Sequence, residues 1–584
     1  MLNKVWYLLD SEQRSSVIVI ACLMLIGMVL ETLGLGLVIP VLTIITESDL
    51  IGTYPFMLPI FDMLGSPNHE QIVIIAMISL VVVYFIKTLY LAFFAWRQAK
   101  YISGVNAELS YRLFSQYLRQ PYSFHLQRNS AQLIRNTINF PITIASVIHQ
   151  SLLIAMEALV LLGISILLIN FEPLGAFMVM SLFCLSGCCY SYITRKHMLR
   201  WGEESATNEG LRIQHVQQGL GAAKDLKLLG RGNGFIEQYN HHNIRGAHLS
   251  KRQTTFDAFP RLMLELFAVA GLASLVIVIV YKGNHIETLL PIIGLFAASA
   301  FRLLPSVNRV ITAVQYLRFT LPVINTIYDE VRLFEKIKAS PSRGMLSFED
   351  NLSLSNVNFN YLNTKSQTLT DINLKVPKGS TIGFIGESGA GKSTLVDIIL
   401  GLLTPETGKV KVDGVDIETS IRGWQERIGY VPQSIYLTDD TLRRNIAFGL
   451  HDEKINENSV LGAVKAAQLD QFVKSLPEGL DTVVGERGVR LSGGQQQRIG
   501  IARSLYHDPS VLVLDEATSS LDTDTEREVM DAVRKLHGKK TILIVAHRLS
   551  TVEDCDYLYH LKAGKVIDEG APNLILTQRA VNVE

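Results

Sequence analysis

Up to residue 318, six stretches are apolar over the length a membrane crossing requires: approximately 17 to 45, 72 to 96, 146 to 169, 173 to 194, 262 to 281 and 288 to 312. A hydrocarbon core of about 30 Å needs about 20 mostly apolar residues per helix. Lipid offers no partner to a backbone N–H or C=O, so these stretches are committed to helices, which satisfy their own backbone. Composition agrees, with 48% hydrophobic and only 18% charged residues. The first 16 residues precede an apolar stretch longer than a signal-peptide core and lacking a cleavage pattern. That beginning reads as a short interfacial helix followed by a retained span.

The charges decide orientation. Residues 46 to 71 contain no Lys or Arg, whereas 97 to 145 hold Arg97, Lys100, Arg112, Arg119, Arg128 and Arg135. Basic loops stay on the cytoplasmic side, so both termini are expected there. Lys plus Arg equals Asp plus Glu at 54 each, leaving a net charge of zero and no bulk attraction to nucleic acid. Cys22, Cys184, Cys188, Cys189 and Cys555 have neither zinc-site spacing nor the density of a disulfide scaffold. The basic loops 97 to 145 and 195 to 261 keep helical periodicity, as in Glu108, Arg112, Phe114 and Leu118, and are expected to prolong the membrane helices into the cytosol.

After a linker over 319 to 344 the pattern changes, and from Met345 onward short β-branched strands alternate with Gly-rich turns and amphipathic helices, as in an α/β domain. There the strand-like run 381 to 385 leads into Gly386-Glu387-Ser388-Gly389-Ala390-Gly391-Lys392-Ser393, and Thr394, Leu395 and Val396 open an apolar helix. This is a P-loop in the context it requires. Its glycines let backbone N–H groups turn toward phosphates, Lys392 neutralises phosphate charge, and the Ser393 hydroxyl can ligate Mg²⁺. ATP and Mg²⁺ are therefore the expected cofactors. A second apolar run, 511 to 514, ends in Asp515-Glu516, two carboxylates at the strand edge where such sheets bind ligands. Asp515 suits Mg²⁺, directly or through water, and Glu516 suits a general base acting on water.

Between these motifs lies Leu491-Ser492-Gly493-Gly494-Gln495, which resembles the signature sequence of ABC transporter ATPases. The resemblance covers the whole chain and implies a six-span α-helical membrane domain of exporter type over 1–318, plus a cytosolic α/β P-loop ATPase domain over 345–584. It also implies an ATP hydrolase coupled to transport. In the family, the signature of one subunit completes the ATP site of another. With a single nucleotide domain, the chain is expected to be a homodimer. Further positions match the family's nucleotide site: Tyr361 as the aromatic under adenine, Gln433 as the glutamine sensing Mg²⁺ and water, Asp522 in the loop crossing the dimer interface, and His547 as the switch histidine. Glu486 sits where exporters couple the ATPase to the membrane helices. Short helices near Tyr122 to Arg128 and Leu220 to Leu228 occupy the places of coupling helices.

The substrate leaves a weaker trace. Lys87, Arg261, Arg302 and Arg309 fall in the cytoplasmic half of the spans, where an ionised group must find a partner or a watery cavity. Either they line a basic cavity for an anionic head group, or they are locally satisfied, as Arg261 would be by Glu265 four residues on and Arg309 by lipid phosphates. Glu31 and Glu157 have no evident role in the sequence. The stretch 301 to 309, with Phe259-Pro260-Arg261 and Glu265, resembles the exporter branch that flips lipid-linked oligosaccharides for bacterial protein glycosylation. That resemblance implies a polyprenyl-pyrophosphate-linked glycan as substrate and a bacterial inner membrane as location. A lipid A-like glycolipid or a hydrophobic drug is the alternative, and an ATP-gated channel or membrane sensor the reading from another class. Residues 51 to 64, apolar and too short to span, read as an interfacial external segment or a capped loop.

Overall fold

A computed structural model describes residues 1–37, 41, 44, 69–171, 173–281, 289–336, 344, 346–361, 367–485, 488–518, 521, 523–546 and 548–581; within these, side chains 35, 170–171, 174–176, 178–179, 182, 272, 275–276, 278–281, 289–302, 336, 525 and 578–581 are not described. The segment 51 to 64 and residues Glu486, Asp522 and His547 therefore lie outside the described residues. The chain divides into two compact units, Met1–Gln120 with Gln127–Lys338, and Ala339–Glu584 with Pro121–Leu126.

In chain order the helices described up to residue 336 are α1 (Leu2–Leu8), α2 (Ser11–Gly36), α3 (His69–Leu118), α4 (Tyr122–Gln127), α5 (Ser130–Phe171), α6 (Pro173–Gly221), α7 (Ala223–Leu229), α8 (Gly232–Tyr281), α9 (Leu289–Phe319) and α10 (Leu321–Lys336). Helix α3 has 50 residues, α6 49 and α8 50. At 1.5 Å per residue each is about 75 Å long, more than twice the bilayer core. Such helices must carry polar extensions outside the lipid. Among the described residues, Ser11–Gly34, His69–Leu118 and Ser130–Ile169 are long and apolar enough to cross a membrane, with the α9–α10 pair as a fourth candidate. The remaining expected spans lie on α6 and α8.

One apolar cluster inside the bundle packs Val160, Ile164 and Leu168 of α5 on Phe183, Leu264, Leu303 and Ile311. On α3 the large residues Ile74, Ile78, Val81, Phe85 and Leu89 are exposed. An apolar surface of that extent on an isolated chain marks a face that meets lipid or another protein.

Part of the stretch read as linker is helical. Helix α10 follows α9 with a 49° bend and buries Ile324, Ile327, Val331 and Phe334, a three-to-four-residue spacing that gives it one apolar face. Lys4 donates to Asn325 Oδ1 at 2.8 Å and Tyr7 to Glu335, which ties α1 to α10. Arg128 pairs with the buried Glu330 at 3.1 Å.

Among the described residues the second unit holds two sheets. Strands β1 (Asn351–Phe359), β2 (Leu369–Pro377), β4 (Thr407–Val412) and β5 (Val415–Asp416) form an antiparallel sheet in the order β2-β1-β4-β5. Strands β3 (Thr381–Gly386), β6 (Ile428–Val431), β7 (Val511–Asp515), β8 (Thr541–Val545), β9 (Tyr557–Lys562) and β10 (Lys565–Gly570) form the other, in the order β10-β9-β3-β8-β7-β6. All its pairings except β9–β10 are parallel. Strands β3, β7 and β8 are buried along their whole length, as expected where helices cover both faces of a parallel sheet. The helices used below are α11 (Lys392–Ile399), α12 (Gly493–Leu505) and α13 (Thr523–Arg534).

Candidate functional site

Strand β3 ends at Gly386, and the chain turns through 387 to 391 into α11. The turn depends on glycine at two positions. Gly386 has φ 156°, and a Cβ there would stand 2.3 Å from the Leu561 carbonyl oxygen; Gly391 has φ 99°, and a Cβ would stand 2.7 Å from Leu369 Cδ2 and 3.1 Å from the Thr368 oxygen. Helix α11 begins at Lys392 without a side-chain cap, and the N–H groups of a helix's first turn have no carbonyl partner within the helix itself. An anion at a helix start is favoured by those N–H groups and by the helix dipole. Lys392 is buried, and its ammonium donates to the carbonyls of Gly386 at 2.9 Å and Glu387 at 3.0 Å. The charge is thus held against the loop, where a phosphate can draw it. Ser388 and Gly389 complete the cradle. These features fit the phosphates of ATP.

Two strands away, β7 delivers Asp515 and Glu516. Glu516 takes a left-handed conformation, φ 48°, fixed by its N–H donating to Val545 O at 3.0 Å. The Gln433 amide donates to Glu516 Oε2 at 2.6 Å, and Tyr430 donates to Asp515 Oδ2 at 3.4 Å. With the Gln433 nitrogen so engaged, its oxygen is the atom left for a metal. The donor set of Ser393 hydroxyl, Asp515 carboxylate and Gln433 amide oxygen is the hard-oxygen chemistry Mg²⁺ takes, so these residues fit that ion. Sequence reasoning missed Asp397 on α11. Burial, and secondly the Asp515 carboxylate, raise its carboxyl to about 6. Its place in the apolar helix gave no signal, since the neighbouring carboxylate belongs to another strand.

Tyr361 follows β1, makes an edge contact with Phe359 at 5.0 Å and shares a 3.1 Å hydrogen bond with Thr394 Oγ. Thr394, in the first turn of α11, is thereby tied to the Tyr361 hydroxyl. Ser492 caps α12: its hydroxyl accepts from Gln495 N–H at 3.3 Å, and the Gln495 side chain accepts from Ser492 N–H at 2.8 Å. This capping box leaves the Ser492 hydroxyl proton free to donate, with Gly493 and Gly494 in the first turn.

The basic residues of the membrane part do not stand as an open cluster. Lys87 lies 3.2 Å from Glu31, Arg309 2.7 Å from Glu157 and Arg261 2.8 Å from Glu265. The Lys87 ammonium also sits 4.7 Å over the Tyr84 ring. The two carboxylates without a role in the sequence are the partners of two of the bases. Arg302 lies on α9, and its side chain is not described.

The family model described as ABC transporter matches residues 369–519, and that described as ABC transporter transmembrane region matches 13–293. A curated relative from Alkalilimnicola ehrlichii, named ATP-dependent lipid A-core flippase, is 30% identical over 503 residues, covering 82% of this chain and 81% of its own. Relatives of the same name from Methylococcus capsulatus and Coxiella burnetii are 28% and 29% identical, covering 82% and 81% of this chain and 81% and 80% of their own. A solved structure described as a bacterial Atm1-family ABC exporter with ATP bound aligns over 98% of this chain and 97% of its own with TM-score 0.80 at 22% identity, a likeness of fold. Taken with the P-loop cradle and the Asp515–Glu516 edge, these similarities along both units place the chain among the ABC transporters, as an exporter-type half-transporter that couples ATP hydrolysis to transport.

Proposed function

We propose that the protein acts as a homodimer in a bacterial inner membrane and uses ATP to move an anionic glycolipid of the lipid A type from the cytoplasmic to the outer leaflet. In this reading Lys392 and the N–H groups at the start of α11 hold the phosphates, and Tyr361 receives adenine. Ser393, Asp515 and Gln433 serve Mg²⁺, whose charge assists phosphoryl transfer. Glu516, held by Gln433, orients and deprotonates the attacking water. Ser492, Gly493, Gly494 and Gln495 of one subunit, with Asp522, complete the site of the other, and His547 contacts the γ-phosphate.

The observation that carries the substrate class is the alignment of more than four-fifths of this chain with relatives named lipid A-core flippases. It favours a lipid A-like substrate over the lipid-linked oligosaccharide suggested by residues 301 to 309. Arg309 supports the anionic character, because its guanidinium is half-exposed on α9. The test is ATP-dependent inversion of labelled lipids in proteoliposomes, with lipid A, a polyprenyl-pyrophosphate-linked glycan and a hydrophobic drug as the panel. Inversion of lipid A is the expected outcome. Transport of the linked glycan alone, or ATP-gated ion flux without inversion, overturns the proposal.

A further inference from the structure

The Arg309–Glu157 pair is asymmetric. Glu157 on α5 is buried, with its side chain 5% exposed, whereas the Arg309 side chain on α9 is 47% exposed. Only one carboxylate oxygen is engaged: Oε1 meets Arg309 Nη1 at 2.7 Å, and Oε2 is buried with no hydrogen-bond partner among the described residues. Ser306, three residues from Arg309 and so on the same helix face, is fully buried, and its hydroxyl likewise lacks a partner among the described residues. The site thus presents a half-exposed guanidinium engaged by one carboxylate oxygen, with the second oxygen of that carboxylate buried and unengaged among the described residues.

A phosphate can meet a guanidinium with two parallel hydrogen bonds, where Glu157 supplies one. Displacing Glu157, however, leaves a buried carboxylate without its partner, a strongly unfavourable state. Only a head group whose attraction to Arg309 exceeds that penalty can enter. We propose that Glu157 is the specificity-determining residue of the substrate path: it occupies Arg309 as an internal competitor, admitting a head group with a dianionic phosphate and rejecting the monoanionic and zwitterionic lipids of the surrounding bilayer. This rests on the proposed transport of an anionic lipid and adds the means by which bulk phospholipid is excluded. The exposed Arg261–Glu265 pair, four residues apart on one helix, has no such buried oxygen and is not part of the device.

The test uses the full chain in phosphatidylcholine nanodiscs, with ATPase stimulation and binding of labelled lipid as readouts. The probes are bisphosphorylated lipid A, phosphatidylglycerol and phosphatidylethanolamine. The wild type is expected to respond to lipid A at far lower concentration than to phosphatidylglycerol. Glu157→Gln keeps the shape and removes the competitor, so the phosphatidylglycerol requirement should fall about tenfold, the scale of a part-buried charge pair, with a smaller change for lipid A. Glu157→Gln with Arg309→Gln removes both charges without stranding either, and should abolish the preference for phosphate. If Glu157→Gln does not fold, Glu157→Asp, which withdraws the carboxylate by one methylene and loosens its hold on Arg309, gives the same comparison. An unchanged ratio between the two anionic lipids in folded variants overturns the proposal. A wild type indifferent to lipid A, with the phosphatidylglycerol shift still present in Glu157→Gln, overturns the substrate reading and leaves the competitor standing.

Discussion

Gln433 Nε2 and Glu516 Oε2 lie 2.6 Å apart, joining the ends of β6 and β7, which pair in parallel from Ile428 with Val511 to Val431 with Leu514. The hydrogen bond sets the direction of the carboxylate beside the nucleotide cradle. A glutamine at 516 keeps the shape but cannot take a proton from water. Glu516→Gln is expected to lower ATP hydrolysis by about 10²–10⁴-fold while a fluorescent ATP analogue still binds. Phosphate release and analogue titration on the same preparation check it, and turnover at the wild-type rate excludes Glu516 as the base.

At Gly391 both space and dihedral forbid a side chain. Gly391→Ala would place Cβ 3.1 Å from the Thr368 oxygen at φ 99°, a strain of about 1–3 kcal/mol that the loop relieves by opening. ATP affinity should fall tenfold or more, as measured by equilibrium binding to the full chain.

Helix α6 meets the end of α9 at Gly202, where a Cβ would stand 1.9 Å from the Phe319 carbonyl oxygen. Gly202→Ala must push the helices apart, at about 1–3 kcal/mol. Gly104 on α3 has nothing within 4 Å of its missing Cβ, so Gly104→Ala should be neutral or slightly stabilising. Thermal unfolding in detergent separates the two, and equal midpoints for both variants contradict the close approach.

Asp413, in the turn between β4 and β5, accepts from the backbone N–H groups of Glu349, Asp350 and Asn351 at 2.6, 2.9 and 2.9 Å. Burial acts to raise its carboxyl, but those three bonds outweigh it and hold it below the ordinary value. A depressed acid stabilises the fold above its unfolded value, about 3.9, and loses that contribution as pH falls through the folded value. Asp413→Asn should therefore cost about 1 kcal/mol at neutral pH, and the gap to the wild type should close below about pH 4. Thermal unfolding over that range reads it; a gap independent of pH rules out the charge as its source.

The parts legible from sequence were those set by local pattern. Apolar length alone makes α2, α3 and α5 membrane-crossing candidates, and residues 386 to 393 form a tight strand-to-helix turn because it needs glycine at particular dihedrals. Asp515 and Glu516 follow a buried β-run, so their place at the sheet edge was also readable. What remained hidden depends on partners distant in the chain. Lys87 and Arg309 looked like candidates for a basic cavity until helix packing set Glu31 and Glu157 beside them, 56 and 152 residues away in sequence. The helical character of 321 to 336 is local, yet that segment read as a linker because its apolar face has meaning only against α1 and the bundle. Sequence determines which residues can carry charge, turn or span, since those are properties of short segments. Which charges neutralise one another is a property of distance in space, and only the packed helices decide it.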